Sequence, residues 1–120
     1  MTDNIRVRSV IGRFLEHTRV FYFRAGGEED LYLSSADWMN RNMMRRVELA
    51  WPVTDPKLRQ QIIDECLVAY LCDDRDAWTL NAAGVYDRAV HPVDGSGAQN
   101  ALMVRYGPRP ALGREEPGVA

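Results

Sequence analysis

The sequence predicts an α/β domain, a mixed sheet with flanking helices, from three observations. Short apolar and β-branched runs separated by turn residues, over 19–33 and 78–86, predict two hairpins. Between them, residues 56–73 carry apolar side chains at helical spacing behind an Asp55-Pro56 start. A chain of 120 residues is long enough for one domain with its own core.

The first half of the chain alternates between strand and turn signals. Residues 5–8 alternate in polarity and predict a short strand, and a bend or helical turn follows. Residues 19–24 and 30–33 predict the two strands of a hairpin around a Gly-Gly turn. The small polar residues 34–37 suit the N-cap of a short helix over 38–44. Residues 47–51 alternate in polarity and predict a half-buried strand that Pro52 closes.

The second half is organised around one long helix. Its predicted core stripe consists of Leu58, Ile62, Cys66, Ala69 and Tyr70. Cys66 and Cys72 are six residues apart and point about 240° from each other, so both are predicted to be reduced core residues of a cytosolic protein. A hairpin around 81–84 and a helix over 98–105 follow. Residues 1–104 are therefore assigned to the domain, and residues 105–120 to a disordered tail rich in Pro and Gly.

The composition favours a cytoplasmic protein that contacts anions. The net charge is −2, but fourteen of the fifteen basic residues are Arg, and residues 1–46 hold eight Arg against six acidic residues. Arginine suits phosphate and carboxylate, although the preference also fits a GC-rich genome. No apolar run approaches the roughly 20 residues of a membrane helix, and no signal peptide opens the chain. The three Trp residues are predicted to be core anchors, without the basic surroundings of a nucleic-acid site.

His17 is the first candidate site residue. It enters the predicted strand through "EHTR", with Arg13 before it and Arg19 on the same strand face. Histidine can exchange a proton near neutral pH, so this grouping is typical of a phosphate site. Two simpler interpretations remain: an exposed histidine paired with Glu16 or water, and arginines that pair with Glu16 or with an acid on a neighbouring strand. His91 lies in a predicted loop and is given no catalytic role.

The stretch "LSSADWMNRN" is the second candidate. Two serine hydroxyls and the free N–H groups at a helix start can hold an anion, with Arg41, Arg45 and Arg46 close behind. A capped helix with a solvated basic face is the simpler alternative. Taken together, His17-Thr18-Arg19 and Ser34-Ser35-Ala36-Asp37 resemble an altered phospholipase D signature, in which Arg replaces the required Lys. That replacement argues against an active phosphodiesterase.

A closer resemblance covers most of the chain. The segments "VIGRFLEHTRVFYF", "YLSSADWMNRN", "RRVELAWPVTDPKLRQQIID" and "AQNALM" resemble the last domain of polyphosphate kinases of the first family, from about Asn4 to Met103. Met44 departs from the family pattern, which has an acid there. The resemblance implies a phospholipase D-like fold and a fragment that begins near the middle of that domain.

The resemblance also implies an activity and two site residues. In that family the γ-phosphate of ATP passes reversibly to polyphosphate through a phosphohistidine on the preceding domain. His17 matches a second active-site histidine, which is expected to lie against the ATP phosphates and to protonate or stabilise the leaving group. Arg46 matches an arginine that reaches the same phosphates. His17 is thus the expected catalytic residue, and His17 and Arg46 the expected ligand-binding residues.

The same resemblance sets the expected partners. ATP or ADP and polyphosphate are the expected substrates, and the other domains of the enzyme are the expected neighbours, within a homo-oligomer that can associate with membranes. The adenine-binding domain and the groups linked to magnesium fall outside residues 1–120, so the isolated chain is expected to bind polyphosphate weakly without turnover. Two alternatives are a non-catalytic packing module and, less favoured, a small phosphodiesterase dimer.

Overall fold

The computed structural model describes residues 4–88 and 95–108. The α/β class is confirmed, but the paired strands form two antiparallel three-stranded sheets instead of one mixed sheet, in the orders β1-β5-β6 and β2-β3-β4. The strands are β1 Val7–Val10, β2 Val20–Ala25, β3 Glu28–Ser34, β4 Ala50–Pro52, β5 Ala77–Leu80 and β6 Tyr86–Arg88. The helical elements are α1 Asn40–Arg45, α2 Pro56–Ile62, a π-helical segment Ile63–Val68, α3 Ala69–Leu71 and α4 Ala98–Tyr106.

The first predicted hairpin is confirmed. Strands β2 and β3 are joined by Gly26 and Gly27, whose φ angles of 60° and 89° are those that a tight two-residue turn requires. The register places Tyr22 opposite Leu31, which is only 1% exposed. Because successive side chains alternate between faces, this register assigns the inward positions of the sheet.

The second predicted hairpin is also confirmed. Strands β5 and β6 are joined through Asn81, whose side-chain Oδ1 accepts the backbone N–H groups of Ala83 and Val85, both at 3.0 Å. This local bond is the usual reason for asparagine at a turn. Strand β1 pairs with β5 on the other side, so a short strand is present near the start of the chain, but it begins two residues later than the predicted range 5–8.

The long helix begins as predicted. The Asp55 side chain accepts the N–H of Leu58 at 2.9 Å, and Pro56 occupies the first turn. Segments α2, Ile63–Val68 and α3 follow one another without a break, and we call them together the long helix. The π-helical middle was not predicted, and Leu58 on the predicted stripe is 54% exposed. Both cysteines are free as predicted, but Cys72 is exposed and is not a core residue.

Two further predictions need correction. Helix α1 starts at Asn40 and has no side-chain cap, because the serines before it belong to the end of β3 and the loop after it. Strand β4 covers only Ala50–Pro52, and the predicted buried positions Val47, Leu49 and Trp51 are 98%, 66% and 46% exposed. Their alternation in the sequence therefore marks apolar surface that residues 4–88 and 95–108 do not cover.

The final helix α4 ends at Tyr106, two residues beyond the predicted domain boundary at 104. His91 and residues 109–120 of the predicted tail lie outside the described residues, so that boundary stays a prediction. None of the helices in the described ranges is long and apolar enough to cross a membrane.

Candidate functional site

His17 lies in an extended loop, residues 11–19, that connects β1 to β2. The loop has no regular secondary structure, but its backbone is attached at both ends. Its first residue, Ile11, donates its N–H to the carbonyl of Asp76 at 2.9 Å, and the carbonyl of His17 accepts Nη1 of Arg19 at 2.9 Å. His17 itself is exposed, and among the described residues its imidazole has no hydrogen bond or ion pair. The loop therefore fixes the His17 backbone while its side chain stays available.

Arg19 connects this loop to the segment after β3. Its Nε donates to Oδ1 of Asp37 at 2.6 Å, and its carbonyl accepts the N–H of Ser34 at 3.0 Å, which extends the β2–β3 pairing by one step. The Arg19 guanidinium holds the pKa of the Asp37 carboxyl below its usual range, and the charges of His17 and Arg41 lower it further. Conversely, Asp37 raises the pKa of Arg19. Arg19 does pair with an acid, but this acid, Asp37, lies in the connection after β3 and not on the neighbouring strand as predicted. Arg19 therefore orients the loop and is not an unpaired phosphate ligand.

Beside this pair lies an open cleft of about 360 Å³. It is lined by residues of the β2 start and the β3–α1 connection, among them Thr18, Phe21, Asp37 and Trp38. Trp38 stacks on Phe21 with ring centroids 5.7 Å apart, yet it is 79% exposed. The prediction that Trp38 anchors the core is therefore wrong for the described residues, where it forms one wall of the cleft.

The two serine hydroxyls that were predicted to hold an anion bond to other groups of the protein instead. Ser34 Oγ donates to the carbonyl of Leu49 and accepts the N–H of Ala36, both at 3.1 Å. Ser35 Oγ donates to Glu48 at 2.5 Å and accepts the N–H of Leu49 at 3.0 Å. Both hydroxyls thus join β3 to the segment before β4. They stabilise the turn and are not directed at a ligand.

The other predicted cations lie apart from these contacts. Arg46 follows the last residue of α1 and is exposed, and no hydrogen bond or ion pair within the described ranges joins its side chain to His17. Their convergence on one phosphate group stays a prediction. Arg13 lies over the ring of Phe14, 5.5 Å from its centroid, and does not pair with Glu16. Glu16 instead accepts the hydroxyl of Tyr70 at 2.5 Å.

Sequence reasoning missed the residues that hold the loop from behind. Gln99, in the first turn of α4, is 8% exposed and binds the backbone of Phe14. Asp73 is 2% exposed and accepts the N–H of Ala98 at 2.7 Å. A glutamine next to a Gly-Ala helix start is a weak sequence signal, because most glutamines in such positions are exposed.

The fold and the site together define an α/β domain with an open cleft beside the Arg19–Asp37 ion pair. The sequence profile of the family described as "Polyphosphate kinase C-terminal domain 2" matches residues 1–101. The chain belongs to this polyphosphate kinase C-terminal domain family, which confirms the family resemblance found in the sequence.

Relatives of known name agree with this assignment. The chain is 47% identical over 106 residues to a polyphosphate kinase of Burkholderia cenocepacia and 46% identical to one of Paraburkholderia phytofirmans, in each case over 88% of this chain. It is also similar to the crystal structure of polyphosphate kinase from Porphyromonas gingivalis, with a TM-score of 0.74 and 40% identity over 87% of this chain and 16% of that one. The chain spans about 15% of the length of the two named relatives.

Proposed function

We propose that this chain serves as the C-terminal, phospholipase D-like part of a polyphosphate kinase, an enzyme that transfers the γ-phosphate of ATP reversibly to polyphosphate through a phosphohistidine. Family membership supports the reaction class. The observation that carries the proposal for this chain is the exposed His17 side chain on a loop whose backbone is fixed at residues 11 and 17. Such a side chain can meet a phosphate without any rearrangement of the loop.

The proposed roles follow from the charge that phosphoryl transfer develops. The reaction needs positioning and charge stabilisation more than covalent help from the protein. The protonated imidazole of His17 would donate a hydrogen bond to a phosphate oxygen and stabilise the leaving group. Arg46 would bind the same phosphates, while Arg19 would hold the loop through the His17 carbonyl and Asp37. The phosphohistidine would belong to another domain.

Magnesium is expected in the complete enzyme, with its ligands expected outside residues 1–120. Within the described ranges, no group of three or more His, Cys, Asp or Glu side chains could hold a metal ion.

Binding of inorganic tripolyphosphate to the chain, followed by calorimetry, tests the proposal directly. We expect weak binding that His17→Ala and Arg46→Ala each reduce, because each removes one cation from the proposed site. Lys57→Ala is the matched control, since it removes an exposed cation from the start of the long helix. Equal binding by His17→Ala and the unaltered chain would contradict the proposed role, and synthesis of ATP from ADP and polyphosphate by the chain alone would overturn the expected need for other domains.

The exposed apolar surface supports a second candidate function, a packing module for neighbouring domains or for a homo-oligomer. Met44 and Val47 are 80% and 98% exposed, and Leu49 and Trp51 also face outward. Patches of this kind commonly mark protein contacts. Replacing the matched segment of the Burkholderia cenocepacia enzyme by this chain separates the two functions. Normal polyphosphate synthesis by the hybrid with His17→Ala would favour packing alone.

A further inference from the structure

We propose that Gln99 is a positioning residue for His17, which it holds in place through the backbone of Phe14. The side-chain amide of Gln99 accepts the N–H of Phe14 through Oε1 and donates to its carbonyl through Nε2, both at 2.8 Å. One amide thus satisfies both backbone groups of Phe14, as a neighbouring strand would. This inference rests on the proposed contact of His17 with phosphate.

The pairing is built into a tight site. Gln99 is 8% exposed, so its amide is largely shielded from competing water. Gly12 lies directly against it: a Cβ atom at position 12 would overlap the Gln99 side-chain amide. The φ angle of Gly12 is not in the left-handed region, so close approach, not backbone conformation, is the reason for glycine here.

The other end of Gln99 is equally well fixed. Helix α4 starts at Ala98, whose N–H donates to Oδ2 of the buried Asp73 at 2.7 Å. Asp73 follows the long helix, and its Oδ1 accepts the N–H groups of Arg75 and Asp76 at 3.0 and 2.8 Å. A Cβ on Gly97 would lie 2.5 Å from Asp76 Oδ2 and 3.2 Å from Asp73 Oδ2, so a larger residue here would have to displace these carboxylates. The start of α4, from which Gln99 projects, is therefore held in place by Asp73.

A second hydrogen bond joins the loop to the long helix. The hydroxyl of Tyr70, on the long helix, donates to Glu16 at 2.5 Å. The loop is thus attached at Phe14 and at Glu16 before His17, and by Arg19 after it. Because Glu16 and the His17 carbonyl keep their own attachments, release of Phe14 would loosen the position of the imidazole without detaching the loop. Displacements of about 1 Å can cost on the order of 100-fold in rate at a reacting centre.

The test compares two ways of breaking the same pairing. Gln99→Ala removes the amide, and Gly12→Ala displaces it while keeping residue 99 unchanged. We expect each to weaken tripolyphosphate binding by about threefold to tenfold and to lower kcat more than it raises KM in the hybrid enzyme. The double variant should bind no more weakly than Gln99→Ala alone, because the smaller side chain leaves room at position 12. Asn100→Ala, exposed on the same helix, is the control and should bind normally.

A purely structural role would lower the melting temperature without changing affinity where the protein is folded. Binding is therefore measured well below each melting temperature, and the NMR signals of the His17 imidazole are recorded for each variant. If His17→Ala weakens binding but Gln99→Ala and Gly12→Ala bind as the unaltered chain does, the positioning role is wrong and the proposed function stands. If His17→Ala binds normally, the proposed function fails, and unchanged His17 signals in Gln99→Ala would then overturn the positioning role as well.

Discussion

Replacement of Asp73 by asparagine tests the hydrogen bonds that hold the junction between the long helix and α4. Asp73 accepts three backbone N–H groups: Oδ1 accepts those of Arg75 and Asp76, and Oδ2 accepts that of Ala98. Asparagine has almost the same shape, but its NH₂ group would replace one of the two oxygens. If the remaining oxygen keeps Arg75 and Asp76, the NH₂ group faces the N–H of Ala98, and two donors meet in a buried place.

The cost follows from the lost bond. A hydrogen bond to a charged group contributes about 1.5–3 kcal/mol, and the unpaired N–H of Ala98 would retain part of its desolvation cost. We therefore expect Asp73→Asn to lower the free energy of unfolding by about 2–3 kcal/mol at neutral pH. For a domain near 100 residues, each 1 kcal/mol lowers the melting temperature by roughly 4–8 °C. Urea titration and thermal unfolding, both followed by circular dichroism, measure the two quantities.

The neighbouring Asp74 supplies a matched control. Its side chain is 53% exposed and lies 3.6 Å from Arg8 Nη2, an ion pair of a kind that contributes about 0–1 kcal/mol. Asp74→Asn should therefore change stability by less than about 1 kcal/mol. If Asp73→Asn is no less stable than Asp74→Asn, the three bonds do not stabilise the junction between the long helix and α4, and the reasoning is refuted.

Two further substitutions test the loop contacts through pH. The pKa of Asp37 is lowered chiefly by its hydrogen bond to Arg19, so its ionised form adds stability above about pH 4, and this stability is lost as the pH falls through the lower folded-state pKa. Asp37→Asn should therefore be less stable than the unaltered chain at pH 7, and the difference should shrink as the solution is acidified. Equal acid profiles in urea titrations would contradict this. The pKa of Tyr70 is raised above its ordinary value, first by burial and then by its hydrogen bond to Glu16. The protonated hydroxyl therefore contributes its full stability below about pH 10, and this stability is lost as the pH rises through the higher folded-state pKa. Tyr70→Phe should lose about 1 kcal/mol or less at pH 7, because Glu16 is exposed, and should show a flatter alkaline profile; an unchanged alkaline profile would argue against the contact.

Local signals in the sequence predicted the elements well. The Gly26-Gly27 turn and the Asp55-Pro56 helix start each depend on the conformational preferences of a few adjacent residues, and both are present. The serine cap failed because the hydroxyls of Ser34 and Ser35 bond to partners 13–15 residues away. A capping pattern covers only residues within one helical turn, so it cannot show that a serine hydroxyl bonds to a distant partner instead.

In the candidate site too, contacts between residues close in sequence were predicted and contacts between distant residues were missed. The proximity of His17 and Arg19 follows from two-residue spacing. Pairing of Arg19 with an acid on a neighbouring strand was among the alternatives, but the sequence did not identify Asp37 as the partner. The link between Gln99 and Phe14 spans 85 residues and uses backbone atoms of its partner. Backbone partners leave no trace in the identity of residue 14, so the weak signal of a glutamine after the Gly-Ala helix start is all that the sequence offers for this contact.

At His17 the backbone carbonyl supports the fold, whereas the side chain is the group proposed to contact phosphate. The fold uses only the carbonyl of this residue, which any amino acid supplies, and the exposed imidazole has no hydrogen bond or ion pair among the described residues. His17→Ala should therefore change the free energy of unfolding by less than about 0.5 kcal/mol, as surface substitutions usually do. Urea titration measures this directly. A loss of about 1 kcal/mol or more would mean that the imidazole supports the loop, and a binding defect in that variant could then no longer be assigned to a missing phosphate contact.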